Sequence, residues 1–161
     1  MMARTATTHL RGNGMFKLIA ITALVLAAPL ALAAVDPNIR AVQPARLPDY
    51  WALANYATLT ADVMNSGLNL EAPTCSAVSY TIGSDGVTRN VVVRKTVPAG
   101  DLRLTAASLV QNMRYTAGPD NAARSPVFTY IIVPFNLPAD PAARKRITDA
   151  CVLKDFPQGY R

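Results

Sequence analysis

At 161 residues, 51% hydrophobic and 16% charged, the chain has room for one domain with a single core of modest size. Its formal charge of +6 comes from 16 Lys and Arg against 10 Asp and Glu, but Arg4, Arg11 and Lys17 lie at or before the start of the first hydrophobic run. The remaining 13 cations face 10 carboxylates, a surplus too mild for a nucleic-acid binder.

The hydrophobic run is Met15–Ala34, MFKLIAITALVLAAPLALAA. Lys17 supplies a short positive start, Leu18–Leu32 is uncharged and apolar, and Ala31-Leu32-Ala33 fits a small-x-small cleavage site. Residues 1–33 are therefore expected to be a signal peptide, with Met15 the more conventional initiator, and the protein is expected in the periplasm. The alternative is a retained inner-membrane anchor facing the periplasm, since Leu18–Val35 is near the minimum length for a span. Membrane contact is expected only in that case. Pro29 and the cleavage site favour removal.

Residues 34–47, with Pro37 and Pro44 and no periodicity, read as a linker, and residues 48–161 as the domain. A helix is expected from Pro48, capped by Asp49, with Tyr50, Leu53, Ala54, Ala57, Ala61 and Met64 on one face and Asn65-Ser66-Gly67 as its stop. Trp51 beside that stripe reads as a packing residue. Val78, Tyr80 and Ile82 then alternate with polar residues, the pattern of a half-buried strand. Asp85-Gly86 predicts a type I′ hairpin turn. On the return strand, Val87–Thr96, the spacing puts Val87, Val91 and Val93 on one face, with Thr88, Asn90, Val92 and Arg94 on the other.

Pro98-Ala99-Gly100-Asp101 breaks the sheet, and a helix carrying Ala106, Leu109, Val110 and Met113 follows, capped by Asp101 or Thr105. Tyr115 and Gly118-Pro119 are expected to end it, before a polar loop at Asp120–Ser125. Pro126–Leu137 is the most β-prone run, with Val127, Thr129, Ile131, Val133, Phe135 and Leu137 on one face and Phe128, Tyr130 and Ile132 on the other. Pro134 cannot donate to a ladder, so that end belongs at an edge or bulge. A last helix starts at Asp140-Pro141, its short stripe formed by Ile147, Ala150 and Cys151.

Chemistry-bearing constellations are sparse. The single histidine, His9, precedes the hydrophobic run, which removes histidine-dependent nucleophilic catalysis and histidine metal sites from the exported part. Most carboxylates sit at turns or caps, and Gly83-Ser84-Asp85-Gly86 lacks the lysine and helix of a phosphate-binding loop. No catalytic residue, metal or cofactor is expected, and the protein reads as a non-enzyme. Cys75 and Cys151 form an even pair, which in an oxidising compartment favours a disulfide; the other reading leaves Cys151 as a small buried apolar group. Arg144-Lys145-Arg146 reads as a solvated face, with anionic lipid or an acidic partner as the sharper alternative.

The order of Ser76–Leu137 resembles the C-terminal domain of the TonB family of energy transducers. The residues that carry it are Asp85-Gly86-Val87, Val91-Val92-Val93, Pro98-Ala99-Gly100, Ala106-Ala107 with Val110, Met113-Arg114-Tyr115, Pro126-Val127 and Val133-Pro134-Phe135-Asn136-Leu137. Met113 stands where that family usually has tryptophan, and Ala117-Gly118 where it has proline-alanine. The hydrophobic run lacks the family's histidine and is followed by a short lead, not a long proline-rich span, so energy coupling is not expected. The resemblance implies an α+β fold in which a small antiparallel sheet of about three strands has helices packed on one face. It also implies a module that binds a protein of the cell envelope, such as an outer-membrane receptor, by strand addition at a sheet edge. Arg89, Arg94, Lys95, Thr129 and Tyr130 are the strand positions expected at that edge. The alternative is a structural or assembly protein of the envelope whose sheet pairs with itself in a homodimer.

Overall fold

The computed structural model describes residues 39–62 and 67–160, all within the unit Leu32–Arg161. The hydrophobic leader and Met64, the last apolar position of the first expected helix, lie outside them. Arg40–Ala41 forms β1, followed by a 3-10 turn at Pro44–Arg46, α1 (Leu47–Tyr50), β2 (Trp51–Leu53) and a second 3-10 turn at Tyr56–Thr58. Then come β3 (Thr74–Ile82), β4 (Thr88–Val97), α2 (Leu102–Asn112), β5 (Tyr115–Ala117), β6 (Val127–Phe135) and α3 (Pro141–Asp149).

The fold is α+β, as expected, but the sheet differs from a three-stranded antiparallel one. Its order is β1-β6-β3-β4, mixed because β1 runs parallel to β6, and β2 and β5 make a separate antiparallel pair. The stretch read as a linker thus supplies an edge strand, with Arg40 opposite Val127 and Ala41 opposite Phe128. The register is continued by Val42, whose N–H donates to Phe128 O at 2.9 Å.

The helix expected from Pro48 lasts only four residues. Trp51, Ala52 and Leu53 pair with Ala117, Thr116 and Tyr115, and Gly118 N–H donates to Tyr50 O at 2.8 Å. Ala54 and Ala57 are exposed, so no buried stripe holds a helix there. A short alanine-rich helix is marginal without packing, and the pairing with β5 wins. The same pairing turns Tyr115, read as the end of a helix, into a strand residue. Trp51 is buried, as a packing residue should be, and its indole N–H donates to Ser125 O at 3.2 Å.

Helices cover both faces of the sheet. Val78, Tyr80 and Ile82 of β3 and Val127 and Val133 of β6 pack with Ala106, Val110 and Met113 on the α2 side. Cys75, Ala77, Phe128 and Tyr130 point the other way, against Cys151, Leu153 and Phe156 of the C-terminal tail, with Ile147 and Ala150 from α3 and its end. The face split read for Pro126–Leu137 therefore holds for β6. Double coverage also explains why β3 is buried along its whole length, where one-sided burial was expected. Cys75 and Cys151 are joined by a disulfide at a Cα–Cα distance of 6.1 Å. Cys151 lies just beyond α3, not within it. Asp140 caps α3 by accepting from Ala143 N–H at 2.7 Å, with Pro141 at the first helical position.

The hairpin also departs from type I′. Only Gly86 has positive φ (76°); Ser84 and Asp85 do not. Gly86 N–H donates to Gly83 O, and Gly83 N–H to Val87 O, giving a three-residue loop closed by a left-handed glycine. A Cβ on Gly86 would lie 2.0 Å from Tyr115 O, so the glycine also permits close approach to β5. Farther along β4, Asn90 takes positive φ (52°), and the ladder with β3 slips there and again at Arg94. Each bulge inserts one residue, which breaks the alternation read from sequence. Thr88 consequently lies on the α2 side, donating to Val110 O at 2.8 Å and Gln111 O at 3.0 Å, two carbonyls at the end of that helix.

Tyr80 and Tyr115 meet inside the α2-side core, hydroxyl to hydroxyl at 2.6 Å. Burial pushes both phenols above their ordinary value, and for Tyr80 the neighbouring Tyr115 adds to it. The fold therefore holds both as neutral groups at a pH where an unfolded chain ionises them. That contribution is intact below about pH 10, the ordinary phenol value, and is lost as the pH climbs from there through the raised values. Thermal melts across the alkaline range are expected to show a steeper loss for the wild type than for Tyr80→Phe/Tyr115→Phe, which has nothing to ionise at this spot. Parallel curves would refute it.

Candidate functional site

β4 is the outermost strand of the four-stranded sheet; just before its start Val87 bridges Arg114 and Gly86 O accepts from Tyr115 N–H at 2.9 Å, and among the described residues no strand pairs with its outer side beyond that bridge. The ladder itself shows which amides face outward. Phe128 O accepts from Val42, so the main chain of Phe128 faces β1, and that of Tyr130, Ile132 and Pro134 faces the same way. The main chain of Val127, Thr129, Ile131 and Val133 then faces β3, and the intervening residues of β3 face β4. Cys75 with Val97 and Ala77 with Lys95 are thus hydrogen-bonded pairs, and Thr96 between them directs its N–H and C=O outward. Its side-chain hydroxyl is held 3.0 Å from Ser76 Oγ.

The same argument grades the two edges of the sheet. β1 covers β6 only at its start, and one of the outward positions left open beyond it is Pro134, which has no N–H. This is how a proline is accommodated in an otherwise well-paired strand. β4 offers ten residues with no proline.

Beside the outer edge of β4 runs a groove of about 410 Å³, walled by Val93–Thr96 on one side and by Leu68, Ala99–Asp101 and Arg103 on the other. The far wall is strapped in place: Asp101 N–H donates to Leu68 O at 3.0 Å, and Leu68 N–H donates to the Asp101 carboxylate at 3.3 Å. The strap needs a glycine, since a Cβ on Gly100 would lie 2.8 Å from Leu68 O. On the opposite face, at the end of β4, Val97 and Pro98 meet Ala143 and Ile147 of α3 in a second, mainly apolar hollow of about 360 Å³. Val92 and Val97 remain 40% and 37% exposed along this strand.

The residues expected at a partner edge divide between two strands. Arg89, Arg94 and Lys95 are on β4. Arg89 is committed to the hairpin: its guanidinium grips both oxygens of Asp85 at 2.8 and 2.7 Å, which holds that carboxyl well below its ordinary range. Arg94 donates to Ser79 Oγ at 2.7 Å and to the carbonyl of Tyr160, and lies 5.8 Å from the centre of the Tyr160 ring. Burial lowers it from the ordinary guanidinium value, yet it remains a cation. Lys95 is exposed and makes no ion pair among the described residues.

Thr129 and Tyr130, by contrast, lie on β6 and are buried, Thr129 donating to Val42 O at 2.8 Å and Tyr130 packing on Phe156. Their side chains are core, because β1 and the C-terminal tail cover the two ends of this strand's surroundings. They do not share a surface with the β4 residues. What the sequence reading passed over is the groove's far wall. Ala99-Gly100-Asp101 reads locally as a sheet breaker, and Leu68 as a connector. One signal was available: Arg103 sits in the first turn of α2, where a cation opposes the helix dipole.

Among the described residues, no group of three or more His, Cys, Asp or Glu is placed to hold a metal, and no helix is long and apolar enough to cross a membrane. No family model, curated protein or solved structure matches the chain.

Proposed function

We propose that this chain is a TonB-like protein-binding module of the periplasm, without an energy-coupling role, that engages an envelope protein by strand addition along the outer side of β4. The observation that carries this is β4, whose outer side beyond the bridge at Val87 is in no strand pairing among the described residues and is flanked by a groove. Main-chain hydrogen bonds would supply affinity, and the groove would select side chains. The Cys75–Cys151 disulfide suits an oxidising compartment.

The edge is also guarded. Two bulges and the cations Arg94 and Lys95 discourage indiscriminate pairing, as natural sheet edges do. Pairing of β4 with β4 of a second copy brings two such sets of cations together, which disfavours the homodimer.

Photo-cross-linking in cells tests the proposal. A photoreactive residue at Val92 or Val97 is expected to yield an adduct with a different protein, and one at the exposed Tyr56 is not. Thr96→Pro removes the outward N–H and is expected to weaken the β4 adduct about fivefold, since one main-chain hydrogen bond is worth about 1 kcal/mol. Thr96→Val keeps the N–H, loses the bond to Ser76, and is expected to behave as wild type. An adduct of twice the mass of the chain as it occurs in the cell would favour the self-pairing alternative, and no β4-specific adduct at all would overturn both.

A further inference from the structure

We infer that the segment received by β4 is acidic: an extended stretch of a partner protein that carries carboxylates as well as apolar side chains. The inference rests on strand addition at β4 and adds the chemical class of the partner. Three cations surround the open edge, Arg94 and Lys95 on the strand itself and Arg103 across the groove. Asp101 is the only carboxylate lining that groove, and it already accepts from Leu68 N–H. Neither Lys95 nor Arg103 is in an ion pair among the described residues. Arg89, the remaining cation of β4, is neutralised by Asp85 and drops out of the count.

An added strand carries its side chains alternately to the two sides of the sheet. By their pairing with Ser79, Ala77 and Cys75, the side chains of Val92, Lys95 and Val97 share the face that carries the disulfide, so an added strand meets exposed valines, a cation and the apolar hollow at Val97 and Pro98 on one and the same side. Carboxylates find Lys95 on that side and Arg103, on α2, on the other. A cationic segment faces three cations against the single carboxylate of Asp101, so the arrangement that blunts the edge against a second copy also selects the sign of what can dock. Arg103 is costly where it stands, in the first turn of a helix, and an incoming carboxylate relieves that cost.

The test uses the full chain and two fluorescein-labelled octapeptides, one alternating glutamate with valine and the other lysine with valine. At about 50 mM salt the acidic peptide is expected to bind roughly tenfold more tightly, with the gap closing at about 0.5 M salt. Lys95→Glu/Arg103→Glu is expected to reverse the order. The two substitutions are on exposed side chains, and an unchanged thermal melt confirms that the variant is folded. Hydrogen exchange locates the peptide, with slowed exchange expected at Thr96 and its neighbours on β4. If both peptides bind equally and slow exchange there, strand addition stands and the acidic preference is overturned. If neither peptide slows exchange on β4, strand addition itself fails.

Discussion

Replacing Cys75 and Cys151 together by alanine is expected to lower the unfolding free energy by about 4 kcal/mol, the chain-entropy value for a loop of this length. The two residues are 76 apart in sequence, so the bridge closes a loop that contains β4, α2, β5, β6 and α3. Both are fully buried, and they sit in the middle of the second core with Ala77, Phe128, Tyr130, Leu153 and Phe156. Without the bridge, the tail after α3 is held by Leu153 and Phe156 and by polar contacts such as Gln43 to Phe156 O and Arg94 to Tyr160 O. A loss of about 4 kcal/mol is a large share of the 5–15 kcal/mol typical of a domain. Equilibrium urea unfolding measures it. Reductant should bring the wild type down to the level of the variant and leave the variant unchanged. A loss under about 1 kcal/mol would mean that apolar contacts alone hold the tail.

Trp51→Ala carries the second large effect, a loss of about 3–5 kcal/mol from the cavity and the transfer energy of a buried indole. Trp51 is 2% exposed and belongs to the α2-side core, although it stands on β2, outside the main sheet. It links the small β2–β5 pair to that core, and its N–H anchors Ser125 just before β6 begins. Trp51→Phe keeps much of the packing and drops the hydrogen bond, so a smaller loss of about 1–2 kcal/mol is expected. Because Trp51 is the only tryptophan, its own fluorescence reports the wild-type transition, and circular dichroism is needed for the variants. An alanine variant as stable as the phenylalanine one would show that the ring contributes little and that β2 is held by its main chain alone.

The segments read correctly are those whose instructions are local. Alternation in Val78–Ile82 and in Val127–Phe135 placed β3 and β6 and sorted the β6 faces. Apolar spacing placed α2, and Asp140-Pro141 marked the start of α3 to the residue. The even number of cysteines pointed to the pair that the disulfide joins. The misread segments depend on partners far away in the chain. Tyr50–Ala61 has helical spacing, but the first part of it pairs with Tyr115–Ala117 and two of its alanines face solvent. Arg40–Ala41 has no strand signature at all and becomes one by lying against Val127 and Phe128. Thr88 changed sides because of bulges that no alternation pattern announces.

The candidate site shows the same division. By itself, the sequence determined that β4 exists, that it carries Arg89, Arg94 and Lys95, and that a break and a helix follow it, because propensity and alternation act between near neighbours. Only the tertiary structure decided that β4 is the outer strand, that Thr129 and Tyr130 are core, and that Leu68, Gly100 and Arg103 stand across a groove from Lys95. Strand order and the closure of loops are set by how much apolar surface each pairing buries, and that quantity belongs to the whole chain and to no single segment of it.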